Sequence, residues 1–163
     1  MTRRRFNLPF FPRLPGDPSP LSMQIQHRVE FHEVDPMGIL WHGHYVALME
    51  DASSELRRHC GLSYQAFFKA DLRAPVVKVD LEYLLPLRLD ERATIRASLV
   101  WAEAAKLNIE YEILKENGLT ASTGYTIQLF TEGATGEVCF VTPPLLEQCR
   151  RRWRAGEFKA LQS

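Results

Sequence analysis

The sequence holds only three cysteines in 163 residues: Cys60, Cys139 and Cys149. The number is odd and no two stand at C-x-x-C spacing. They read as reduced thiols of a cytoplasmic protein rather than a disulfide framework. Net charge is missing too. Twenty Lys and Arg balance twenty Asp and Glu, so nothing global steers the chain towards nucleic acid or an anionic membrane. No apolar run approaches the roughly 20 residues that span a bilayer, and no repeat interrupts the chain. What remains is 45% hydrophobic and 25% charged. That is enough for one compact core without a metal or disulfide staple.

Residues 1–22 stand apart. They hold five prolines and the arginine run Arg3-Arg4-Arg5. Proline at this density argues against helix or central strand, and the segment reads as a flexible Pro/Arg-rich extension. Its beginning has a superficial twin-arginine look. The apolar stretch that follows is short and broken by proline, with no small-residue cleavage site, which argues against export.

From Gln24 onward the pattern becomes regular. Ile25, His27, Val29 and Phe31 alternate with polar residues, the period of a half-buried strand. A turn-like Glu33-Val34-Asp35-Pro36-Met37-Gly38 follows. Tyr45, Leu48, Met49, Ala52 and Leu56 then recur at three and four, which predicts a helix from about Gly43 to His59. Ser63 is placed to cap a short helix through Lys69. Strands are expected from Val76 towards Pro86, over Ala93–Trp101, over Leu107–Ile113 and over Leu119–Phe130. Asn117-Gly118 marks a hairpin. Pro143-Pro144 opens a C-terminal helix, Leu145–Trp153, within a last segment of residues 143–163. One strand, one long helix and about four strands with short connections predict an α+β domain over residues 23–142. An antiparallel sheet there wraps around one central helix, the hotdog arrangement.

The stretch from Arg28 to Leu62 carries the chemistry. It holds Asp35, Gly38, the pair Trp41-His42, Tyr45 and Glu50. This string resembles the 4-hydroxybenzoyl-CoA thioesterase family of hotdog enzymes and the related Tol–Pal-associated acyl-CoA thioesterases. It continues more loosely to about Phe140. The resemblance implies that Asp35 is the catalytic carboxylate and that the backbone N–H of His42 polarises the thioester carbonyl. It also implies dimers, often paired into tetramers, with sites at the subunit interface.

Elementary chemistry supports the assignment. A thioester carbonyl needs a nucleophile or activated water, and a place for charge on its oxygen. A carboxylate is ionised at neutral pH. A helix start offers unpaired N–H groups and the favourable end of its dipole. Gly38 is expected either to adopt a positive φ or to allow close approach of a ligand. His42 is expected to line the site. Tyr45 and Glu50 read as orienting or substrate-contacting groups, with Glu50 a candidate to bond the Asp35 loop. His42 and His44 form an H-x-H pair with no third ligand in sight, so no metal and no cofactor is expected.

Lys106 matches one member of the basic cluster that grips the CoA phosphates in the hydroxybenzoyl branch. Its neighbours here are Ala104 and Ala105, where that branch has arginines. Lys78 or Arg88 could grip CoA instead, or the acyl donor could be a carrier protein. Acyl-CoA hydrolysis is the leading expectation. Hydrolysis of acyl carrier protein esters and a silent acyl-binding hotdog protein are its rivals.

Overall fold

The computed structural model describes residues 8–162. In chain order they form β1 (Leu21–Arg28), a 3₁₀ turn (Phe31–Glu33), α1 (His44–His59), α2 (Tyr64–Lys69), β2 (Leu72–Arg73) and β3 (Val76–Tyr83). There follow β4 (Arg92–Val100), β5 (Lys106–Lys115), β6 (Thr120–Leu129), β7 (Thr131–Glu132), α3 (Pro144–Arg154) and a 3₁₀ turn (Lys159–Leu161).

Five strands make one antiparallel sheet in the order β1-β4-β5-β6-β3. The hotdog arrangement expected from the sequence is the one observed. Inward residues Ile95, Ala97 and Leu99 of β4, with Leu107, Ile109, Tyr111 and Ile113 of β5, are all buried. Against them α1 buries Tyr45, Leu48, Met49, Ala52 and Leu56. Burying one such Leu or Ile is worth about 2 kcal/mol, whereas a cap contributes about 1 kcal/mol. Packing therefore holds α1 in place. This matters because its first turn has neither a side-chain cap nor an acidic residue. Ser63 does cap α2, accepting the Ala66 N–H at 3.2 Å.

The hairpin predicted at Asn117-Gly118 joins β5 to β6, with Gly118 at φ +81°. A two-stranded ribbon of β2 and β7 had no signature in the sequence. Strand β1 starts at Leu21, slightly before the expected domain boundary.

Residues 1–7 of the N-terminal extension, including the arginine run, lie outside the described residues. Residues 8–20 run over the outer face of the sheet. The N–H groups of Phe10 and Phe11 donate to Glu110 Oε1 at 2.7 and 2.9 Å, and Arg13 donates to Oε2 at 2.7 Å. Both phenylalanine rings pack on Tyr125 with centroids 5.1 Å away. At the other terminus, Trp153 of α3 packs edge-on against Trp101 and donates to the Ser19 carbonyl at 2.9 Å. No helix among the described residues is long and apolar enough to cross a membrane.

Candidate active site

Between the first 3₁₀ turn and α1 the chain makes a closed loop. The Asp35 N–H donates to the Ile39 carbonyl and the Gly38 N–H to the Asp35 carbonyl, both at 2.9 Å. The Asp35 carboxylate accepts the Met37 N–H at 2.8 Å, an Asx turn. Gly38 sits at φ +73° with nothing near the position of a Cβ. The positive φ of this turn itself calls for glycine.

Two seams hold the loop. The Trp41 N–H donates to the Glu33 carbonyl at 2.9 Å, and the Leu40 N–H to the Leu87 carbonyl at 2.8 Å. Glu33 is itself buried, and its carboxylate accepts the Glu30 N–H and meets His27 Nε2, each at 2.8 Å. Burial pushes the Glu33 carboxyl up. The bonds from Glu30 and His27 outweigh it and leave the group below its ordinary value.

The loop delivers Asp35 to the start of α1. Gly43 is the N-cap residue, and it lacks room for a Cβ because the Trp41 ring folds back over it. Among the described residues, the N–H groups of His42 and Gly43 make no hydrogen bond. Asp35, His42 and Tyr45 open on one cavity of about 350 Å³. Its apolar wall comes from Met37, Ile39 and Leu40 and from Tyr83, Leu84 and Leu85. Tyr45 is buried, and its ring meets Tyr83 edge-on at 5.0 Å. Burial raises both phenols above their usual value, so each stays a protonated donor at neutral pH. A larger groove of about 610 Å³ beside β2 and β7 holds none of the candidate residues.

Residues 29–149 match the thioesterase-like superfamily. The chain belongs to that superfamily. Among relatives, the acyl-CoA thioester hydrolase YbgC of Escherichia coli is 32% identical over 93 residues, covering 56% of this chain and 69% of that protein. The 1,4-dihydroxy-2-naphthoyl-CoA hydrolase of Crocosphaera subtropica is 21% identical over 98 residues, covering 60% and 72%. In fold, the DHNA-CoA thioesterase of Staphylococcus aureus superposes with a TM-score of 0.74 at 20% identity, over 85% of this chain and 95% of that one.

Other candidates lie elsewhere on this thioesterase-like scaffold. Trp41 is half-exposed and meets His42 at a tilt and His44 edge-on, with centroids 4.8 and 5.6 Å away. Glu50 does not bond the Asp35 loop. It is taken by Arg57 Nη2 at 2.7 Å, by Ser54 at 3.0 Å and by the Tyr64 hydroxyl. The cause is helical spacing: Glu50 and Ser54 stand one turn apart, and Arg57 reaches both from the next. Lys106, at the start of β5, lines a separate groove of about 330 Å³ with Phe11, Leu14 and Asn108. Lys78 is exposed on β3, its ammonium 5.4 Å from the Tyr125 ring centroid. Neither lysine lines the Asp35 cavity. Tyr83 was legible only as one residue of the strand expected from Val76 towards Pro86. Nothing in a strand pattern signals that its hydroxyl reaches a helix start.

Proposed function

We propose that this protein hydrolyses acyl thioesters, with acyl-CoA as the acyl donor. The observation that carries the reading is the joint opening of the Asp35 carboxylate and the uncapped start of α1 on one apolar-walled cavity. The acyl group enters that cavity, and its carbonyl oxygen accepts the His42 N–H. Negative charge developing on the oxygen lies at the positive end of the α1 dipole. Asp35 attacks the carbonyl carbon, or takes a proton from a water that does. The thiolate of CoA leaves and is protonated, and the free acid departs. In the first route an acyl–aspartyl anhydride forms and water then cleaves it. Single turnover in ¹⁸O-water separates the routes, because only the first can leave label in Asp35.

A carrier-protein ester is the second substrate reading. It is favoured by Lys106 standing beside Ala104 and Ala105 and outside the cavity. Within the superfamily, the Asp35–Gly38–Tyr45 string resembles that of the acyl-CoA thioesterases, which supports the acyl-CoA reading. We also propose a homodimer, paired into a tetramer in the fuller form. Among the described residues, edge strand β3 is unpaired on its outer side and exposes Val76, Val77 and Val79; such an edge suits pairing with a second copy. Cytoplasmic residence is supported by three unpaired cysteines.

The test is release of free thiol from short, long and aromatic acyl-CoAs and from matched carrier-protein esters, by the parent and by Asp35→Asn. Loss of about 10²-fold or more in kcat is expected for the variant. Equal rates for parent and variant would sink the reading.

A further inference from the structure

Tyr83 ends β3, half-exposed, and lines the same cavity as Asp35. Its hydroxyl donates to the His42 carbonyl at 2.7 Å, across a separation of 41 residues. Its ring stands edge-on to both Tyr45 and His42, with centroids 5.0 and 6.4 Å away. That carbonyl belongs to the peptide joining His42 to Gly43. Gly43 is the N-cap, so the His42 carbonyl precedes the first acceptor of the helical ladder. Without Tyr83 it would have no protein donor among the described residues.

A peptide followed by glycine is the kind most free to rotate, because no Cβ resists the change in φ. Rotation of the His42–Gly43 unit would change ψ of His42 and so reset the backbone of a residue that lines the cavity. The hydroxyl of Tyr83 opposes that rotation. A donor on the carbonyl also polarises the peptide and sharpens its N–H. We infer that Tyr83 is a positioning residue, which acts through the His42 carbonyl to hold the His42 backbone, and with it its N–H, facing the thioester oxygen. The inference rests on the proposed thioesterase function, since it concerns the same site.

The experiment is Tyr83→Phe in the full chain, which keeps the ring and removes the hydroxyl. Two readouts are taken. One is kcat and KM on the acyl-CoA best cleaved by the parent. The other is the ¹⁵N–¹H shift at His42 and Gly43 in the protein without substrate. Removing a direct oxyanion donor costs 10²–10³ in kcat, so loss of an indirect one is expected to cost about tenfold, with KM nearly unchanged. The two amide resonances are expected to shift, with the melting temperature unchanged. Tyr83→Leu, which also removes the ring wall, is expected to raise KM as well. Unchanged amides overturn the inference, whatever happens to kcat, and so does an unchanged kcat with altered amides. If the amides respond but the parent cleaves no thioester, the functional reading fails and only the fixing of the peptide stands.

Discussion

The Glu33 carboxylate meets His27 Nε2 at 2.8 Å and, through the same oxygen, caps the backbone of Glu30. This buried contact anchors the loop that carries Asp35, because the Glu33 carbonyl accepts the Trp41 N–H at the far end of the same loop. The folded-state pKa of Glu33 lies below its ordinary value. Its contribution to stability is therefore fully present above the ordinary carboxylate range and is lost as pH falls through the depressed value. Glu33→Gln is expected to destabilise the protein at neutral pH by about 1–2 kcal/mol. That difference should shrink below about pH 4. Urea unfolding of both proteins at the two pH values checks this, and a difference that grows on acidification would refute it.

Glu50 is read as the partner of Arg57, which is 1% exposed and has a second nitrogen, Nη1, with no partner among the described residues. Glu50→Ala takes the carboxylate from a buried guanidinium. Loss of a fully buried partner costs about 3–5 kcal/mol. The Glu50 side chain is 42% exposed, so about 1–3 kcal/mol is expected here. Below the melting range, kcat/KM should stay within about threefold of the parent. Thermal unfolding and initial rates together decide whether Glu50 is structural or touches substrate.

Glu110 is buried at the centre of the outer sheet face and takes three donors from residues 10–13. Hydrogen bonds to a charged group are worth about 1.5–3 kcal/mol each. Glu110→Ala should free the N-terminal segment, raising exchange at the Phe10 and Phe11 amides about tenfold or more. Tryptic cleavage after Arg13 should quicken in parallel. Unchanged exchange would mean that the aromatic contacts with Tyr125 suffice.

The three thiols should react in a defined order. Burial pushes Cys60 up to about 12 and Cys149 up to about 11, and both are buried. Cys139 is partly exposed, with a smaller upward shift from burial. A thiol reagent at neutral pH should modify Cys139 first and reach the other two only on unfolding, since the thiolate is the reactive form. Mass spectrometry of peptides after brief labelling reads the order directly.

The periodicities in the sequence determined the strands, α1, the Ser63 cap and the hairpin at Gly118, because each depends on residues a few positions apart. Asp35, Gly38, His42 and Tyr45 were legible as a group for the same reason: one loop and one helix turn carry them all. Two partners of Glu50, Ser54 and Arg57, lay within reach of helical spacing too, yet spacing alone did not rank them above the Asp35 loop. Tertiary structure decided the rest. The β1 and β3 edges, the Tyr83 hydroxyl on the His42 carbonyl, the Phe10–Glu110 contact and the distance of Lys106 from the cavity depend on how the sheet closes around α1. That closure joins residues tens of positions apart, and no local pattern encodes which of them will meet.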